Sequence, residues 1–404
     1  MSNKGKNRRK GRGRGKPAQE MKPRSVLILG IDGYLGWPLA MHLVKRGHTV
    51  WGTDNGSRRR LVTEAGSESA LPILSMEERA EAFSGEVTAL RGDVQNIITM
   101  RSTMQACKPD CVIHLAEQPS APWSMADFAR AKDTQVNNVV GTLAVLWAMK
   151  DYAPKAHLLK LGTMGEYGTP PCPIPEGFMD VNWRGKRKLR LQFPRSPGSL
   201  YHASKVMDTV NVELACRIWG LRSTDVMQGV VYGTRTDEMG GDPALRTRFD
   251  FDENFGTAIN RFCAAAVAGL PITPYGTGGQ KRGFLPLRDS IQCLRLAVEN
   301  PPEAGEYRVF NQIEEVYTIS DLAQKVSVEA QQLGLDPAIE CVDNPRVEAA
   351  EHEYDVDHKH LEALGYKPTS DMSAELALVL EDLIPSADRI RAYQKAIPPK
   401  TTWR

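Results

Sequence analysis

From Ser25 onward the apolar positions change period repeatedly. SVLILG (25–30) is a continuous aliphatic run of strand length, IDGYLG (31–36) a glycine turn, WPLAMHLVKRG (37–47) a stretch with helical apolar spacing that closes on a glycine, and HTVWGTD (48–54) a second strand-forming run. The alternation continues with a strand over 86–91, a helix over 96–106, a strand in CVIHLAE (111–117), a helix over 134–150 and a strand in HLLKLG (157–162). Strands that each feed a helix predict a parallel, doubly wound α/β sheet, because a parallel neighbour is reached only through a crossover.

Two stretches interrupt the pattern. Residues 56–74 and 169–199 are long and rich in Arg, Pro and Gly, and are predicted to be binding loops. Beyond Gly233 the strict alternation weakens, which predicts a smaller C-terminal α/β lobe for a substrate. The chain therefore divides into a basic tail (1–24), a nucleotide-binding domain of Rossmann type (25–232) and a mainly substrate-binding lobe (233–404), with a segment near 281–312 returning to the first domain.

Charge changes the picture at one end only. The 404 residues carry a net charge of +2, but Met1–Arg24 alone holds +9, leaving −7 for the remainder. A segment such as NKGKNRRKGRGRGKP buries no apolar surface and reads as a disordered, solubilising tail, with an anchor to nucleic acid or an anionic surface as the other reading. No run of about 18 apolar residues is present, so no membrane span is expected. Seven scattered cysteines (107, 111, 172, 216, 263, 293 and 341) do not form a disulfide framework. They point to a reducing, cytoplasmic compartment.

Gly30, Gly33 and Gly36 follow the first strand directly, where backbone N–H groups at a helix start can approach a pyrophosphate that side chains would block. Asp54 ends the second strand, where a carboxylate accepts both adenosine ribose hydroxyls; that choice favours NAD over NADP despite Arg58, Arg59 and Arg60 close behind. Asp93 and Val94, after the third strand, suit a contact to adenine. His114 reads as a packed core residue.

The candidate chemistry lies in YHASK, Tyr201 to Lys205. Residues four apart share a helix face, so the lysine ammonium is expected beside the phenol, depressing its proton affinity and making it a general base for a sugar hydroxyl. Thr163, at the end of HLLKLGT, is expected to hold the same substrate oxygen.

These motifs resemble the extended short-chain dehydrogenase/reductases, which modify nucleotide sugars. Asp54-Asn55 with Arg58-Arg59, EQPSAPWSM, LGTMGEYGTP, YHASK, QGVVYG, FGTAINRF, YGTGGQKRGF and NPRVEAAEHEY are similar, within that family, to the UDP-sulfoquinovose synthases. The likeness runs from about Ser25 to beyond Tyr354. It implies UDP-glucose and sulfite as substrates, NAD as cofactor, a homodimer, and a reaction in which C4 is oxidised, water is lost across C5 and C6, sulfite adds at C6 and C4 is reduced again. Where 4,6-dehydratases follow the threonine with adjacent acids, this chain has Met164 and Gly165, with the acid displaced to Glu166.

The resemblance further implies Glu166 as proton carrier at C5 or C6 and His202 as guide for sulfite or the C6 oxygen. Cofactor contacts are expected from Gly30, Asp32, Gly33, Tyr34, Leu35, Gly36, Asp54, Asn55, Arg58, Asp93, Val94, Leu115, Asn138, Tyr201 and Lys205. Substrate contacts are expected from Gln118, Thr163, Gln228, Thr257 and Asn260, with Arg282 and Arg346 on the diphosphate. Pro119 stands where plant-type synthases carry an arginine. No metal is expected: EHEYDVDHKH (351–360) matches no zinc spacing. The competing readings are a UDP-hexose 4-epimerase or related dehydratase, and a non-catalytic NAD-sensing or RNA-associated protein.

Overall fold

The computed structural model describes residues 22–346 and 354–403. Most of the basic tail, and the part of the NPRVEAAEHEY motif at 347–353, lie outside the described residues.

Seven strands form one parallel sheet: β1 (Ser25–Leu29), β2 (Thr49–Asp54), β3 (Val87–Arg91), β4 (Cys111–His114), β5 (His157–Thr163), β8 (Arg222–Gln228) and β11 (Tyr307–Gln312). Their order is β11-β8-β5-β4-β1-β2-β3. The chain winds outward from β1 to β3, then returns to the other side of β1 with β4. That reversal opens a crevice beyond the carboxyl ends of β1 and β4, where doubly wound sheets bind their ligands. Helices cover both faces, so each strand is buried on two sides: along β1, Val26 and Ile28 enter one core cluster while Leu27 and Leu29 enter another.

Both interrupting stretches hold structure that their composition hid. Within 56–74 lies a helix, Ser57–Glu64, entered through Gly56 at φ 70°. Within 169–199 lies an antiparallel hairpin of β6 (Phe178–Trp183) and β7 (Lys186–Gln192). Its turn places Arg184 and Gly185 at φ 51° and 71°, the pair of positive angles that suits the twist of a tight hairpin. Lys or Arg at four of the seven positions of KRKLRLQ masks the strand.

A second, three-stranded sheet of β9 (Val230–Tyr232), β10 (Lys281–Pro286) and β12 (Glu315–Thr318) has the order β12-β10-β9. The helices Ala258–Ala268, Ile319–Gln332 and Met372–Leu383 pack with it around Phe249, Phe262, Phe284, Leu322 and Leu376. Between these sheets the chain crosses three times, from β8 to β9, from β10 to β11 and from β11 to β12. β10 stays with the small sheet, whereas β11 pairs with β8 from Tyr307↔Ser223 to Gln312↔Gln228 and extends the large one. No described helix is long and apolar enough to cross a membrane.

Candidate active site

The crevice between β1 and β4 is a cleft lined by Gly30, Gly33, Tyr34, Leu35, Gly36, Asp54, Asn55, Arg58, Val94 and Leu115. Two observations test whether it fits a dinucleotide. Gly30 sits at φ 90°, and a Cβ there would stand 2.8 Å from the Ala116 nitrogen, while a Cβ on Gly36 would press on the Gly30 carbonyl oxygen. The helix Gly36–Lys45 carries no acid in its first turn, leaving its N–H groups and positive dipole end open to a pyrophosphate. The residues present fit NAD. Gly36→Val is therefore expected to weaken NAD binding by about tenfold or more, a loss of roughly 1.4 kcal/mol, measured by calorimetric titration. Affinity equal to the parent chain would remove the loop from the cofactor site.

Two of the three arginines that raised the possibility of NADP are committed elsewhere, and Arg60 lines the adjoining groove. Arg59 donates to Asp32 at 2.6 and 2.8 Å; Arg58 donates to Asp250 at 2.8 Å and stacks 4.4 Å from the Phe255 ring centre. Asp54 accepts the N–H groups of Gly56 at 2.7 Å and Asp32 at 3.0 Å. Its carboxylate, fixed at the cleft wall, would repel a 2′-phosphate.

The chemistry-bearing trio lies on the same cleft: Thr163 at the end of β5, with Tyr201 and Lys205 on the helix Leu200–Trp219. Ser199 caps that helix by accepting the N–H of His202 at 3.3 Å, a bond worth about 1 kcal/mol, and the Ser124 hydroxyl receives the N–H of Tyr201 at 3.0 Å. These two bonds fix the first turn, and with it the phenol. Lys205 donates to the Glu117 carboxylate and to the Leu161 carbonyl.

The expected depression of the Tyr201 phenol by Lys205 is corrected by its surroundings. Burial pushes the phenol well above its ordinary value, Glu117 and Glu166 push it further, and among the leading influences only Arg58 pulls it down. The ammonium that should have lowered it is matched by Glu117.

Five predicted side chains are directed elsewhere. Glu166 is wholly buried beneath β5: its Oε1 accepts from Lys160 at 3.2 Å, and its Oε2 lies 3.0 Å from the Thr209 hydroxyl. Lys160 also donates to Asp225 at 3.0 Å. Burial works against that ammonium, Asp225 and Glu166 outweigh it, and its proton is held more tightly than usual. Glu166 is thus the counter-ion of a buried lysine, which removes it as the carrier at C5 or C6. Asp32 turns its carboxylate to Arg59 and Arg79, away from the cleft. Gln118 folds its amide onto Thr134 at 2.7 Å and onto Ser120. Asn138 braces that loop through the N–H of Gln118 and the Ser204 hydroxyl; its neighbour Asn137 lines the cleft instead. Asp93 faces the adjoining groove, where it accepts from Asn55 at 3.2 Å.

On the sugar side, Gln228, Thr257 and Asn260 line the cleft. Gln228 spends its amide N–H bonds on Ser290 and Gln312 at 2.8 Å each, leaving its oxygen to accept. The His202 ring lies 4.9 Å from the Tyr201 ring and 2.9 Å from the Ser199 hydroxyl through Nδ1. Burial, then Arg346, then Arg282 push its proton affinity down to about 4, so it is neutral near pH 7. A Cβ at position 165 would collide with this ring. Glycine rather than an acid follows Met164 because His202 occupies the space. Arg282, on β10 opposite Tyr317, and Arg346, stacked 5.0 Å from the Trp403 ring centre, do not line the cleft themselves, but both charges reach His202. His114 is buried and held neutral, pushed down to about 4 chiefly by burial.

Sequence reading missed Glu117, Asn137, Asp250 and Phe255, all of which line the cleft. Glu117, Asp250 and Phe255 lie in loops, and Asn137 in the π turn Val136–Val140 that interrupts an otherwise continuous helical run, a feature frequent at functional sites. Among the described residues no three His, Cys, Asp or Glu side chains gather as a metal site.

Residues 26–312 match the family model described as the NAD dependent epimerase/dehydratase family. A UDP-sulfoquinovose synthase of Sulfolobus acidocaldarius is 47% identical over 384 residues, covering 94% of this chain and 97% of that protein. The chain belongs to the UDP-sulfoquinovose synthase family. The chloroplastic member from Spinacia oleracea is 44% identical over 385 residues, covering 94% of this chain and 79% of its own. Among solved structures, a UDP-N-acetylglucosamine 4-epimerase of Methanobrevibacter ruminantium superposes with a TM-score of 0.69 at 20% identity, over 90% of this chain and 99% of that one, which shows the shared fold.

Proposed function

We propose that the chain converts UDP-glucose and sulfite to UDP-6-sulfoquinovose. The observation that carries this reading is a single NAD-shaped cleft holding Thr163 and Tyr201, with His202 abutting Gly165 and influenced by Arg282 and Arg346, in a family member 47% identical to a synthase over almost its whole length.

NAD, when bound, supplies the hydride acceptor and later the hydride donor for C4, and in its oxidised form a positive charge that favours a phenolate. Tyr201 takes the proton of the C4 hydroxyl and later returns it. Thr163 already accepts the N–H of Gly165 at 3.1 Å, so its own proton is left for the sugar oxygen. The C4 ketone acidifies C5. Neutral His202, in place of Glu166, takes that proton and passes it to the departing C6 hydroxyl, which leaves as water. The sulfur lone pair of bisulfite then bonds to C6 of the 4-keto-5,6-ene, bisulfite gives up its proton, and C5 is reprotonated. Bisulfite enters and water leaves, with no net oxidation. Gln228, Thr257 and Asn260, which line the cleft, hold the sugar and its linkage, and Arg282 and Arg346, set back from that lining toward His202, supply positive charge for the diphosphate.

Loss of the C6 oxygen separates this reading from a 4-epimerase. UDP-glucose labelled with heavy oxygen at C6 should lose its label in the product; full retention would favour the epimerase.

The chain acts as a homodimer. Val140 and Trp147 on one helical run, and Met207, Val210, Leu214 and Ile218 on the helix packed beside it, present 40 to 56% of their surface to solvent. Such an apolar face calls for a second copy. Val210→Asp with Ile218→Asp should shift the chain to a monomer in sedimentation analysis, and an unchanged mass would place the dimer elsewhere. Residues 25–232 act as the NAD-binding domain and 233–404 mainly as the sugar-nucleotide lobe. Seven free thiols suit a reducing compartment such as the cytoplasm.

A further inference from the structure

Glu117 belongs to none of the parts assigned above, yet it sits at their centre. It follows β4 by three residues, lines the cleft, and its side chain is 5% exposed. One oxygen receives the Lys205 ammonium. The other, Oε1, is buried and has no hydrogen-bond partner among the described residues. Three residues beyond Lys205 on the helix Leu200–Trp219, Asp208 is wholly buried beside Thr142, and burial first, then Glu117, pushes its proton affinity far up. Beneath lie Lys160, Asp225 and Glu166. Four acidic side chains thus share two ammonium groups in a space that excludes water. A lysine placed to electrify the phenol is in this chain the partner of a carboxylate.

We propose that Glu117 is a positioning residue of the catalytic base: it fixes the Lys205 ammonium within the cleft and, by matching its charge, sets how tightly Tyr201 holds its proton.

The groups that face Tyr201 come from four directions. Glu117 follows β4, Glu166 follows β5, Arg58 stands on the helix Ser57–Glu64, and Asp208, Lys205 and His202 lie on its own helix. Glu117 in turn faces Lys205, Asp208, Lys160 and His114. Among the carboxylates, Glu117 has the greatest influence on the phenol, and it is the one whose removal leaves Lys205 in place, still donating to Leu161. A lysine relieved of its counter-charge stabilises a phenolate; the base then loses its proton at lower pH. Glu117 itself lines the cavity that NAD fits, with Oε1 buried in its wall.

The proposal rests on Tyr201 being the base, and its test separates the two claims. The pH profile of kcat/KM for UDP-glucose is measured with the parent and with Glu117→Gln, an isosteric change that removes charge alone. The acidic limb should move down by about one pH unit, in the range a neighbouring charge commonly produces. Glu117→Asp, which keeps the charge, should restore the limb toward the parent position. A purely structural role predicts a lower rate with an unmoved limb, and that outcome overturns the proposal. An active Tyr201→Phe chain would instead refute the base, whatever Glu117 does.

Discussion

Tyr201→Phe should abolish C4 oxidation of UDP-glucose, lowering kcat by about 10²- to 10⁴-fold, the span usual for loss of a positioned acid–base group. NAD affinity should stay close to that of the parent, because the glycine loop after β1 and Asp54 that hold the dinucleotide are untouched. The phenol lines the cleft with Thr163, and its ring keeps the contact with His202 when only the hydroxyl is lost. Single-turnover absorbance of reduced nicotinamide measures the step directly. A rate within threefold of the parent would show that another group takes the C4 proton.

The second large effect concerns stability. Lys160→Met should destabilise the chain by about 3–5 kcal/mol, because it strands the Glu166 and Asp225 carboxylates in a cavity without their shared cation. Both are wholly buried, and Lys160 donates to each. Urea unfolding measures the loss. Glu166→Gln, in contrast, keeps an acceptor for Lys160 and should leave turnover of the folded chain within about threefold, far from the 10²-fold or more expected of a lost proton carrier. A profound loss of C5 proton exchange in that variant, without unfolding, would return Glu166 to the reaction.

The fate of Glu166 shows where a sequence stops being legible. Glycine at 30 and 36 was readable because the requirement is local: a tight turn and the close approach of two backbones. Tyr201 and Lys205 were readable because helical spacing alone puts them on one face. Glu166 follows Thr163 by three residues, and proximity in sequence implied proximity in space. The short turn Met164–Glu166 instead rolls the carboxylate back under the sheet, toward a lysine that HLLKLG hides inside an apolar run. Likewise the π turn at 136–140 changes the helical phase, so that Asn137 faces the cleft and Asn138 the loop behind it. Glu117 was invisible for a related reason. Its partner Lys205 lies 88 positions away on the helix Leu200–Trp219, and only tertiary packing brings that helix to the loop after β4. The hairpin β6–β7 escaped because β7 has Lys or Arg at four of its seven positions, whereas β1 and β4, buried on both sides, announced themselves as apolar runs.

The central claim is that the cleft replaces the C6 hydroxyl of a UDP-linked hexose with sulfonate by way of a temporary C4 ketone. Mass analysis of the purified chain incubated with UDP-glucose and NAD, with and without sulfite, tests it most directly. The account predicts a product heavier than UDP-glucose by the elements of SO₂, formed only when sulfite is present and absent from the Tyr201→Phe chain. A sulfite-independent product of unchanged mass, with the C4 configuration inverted, would contradict it.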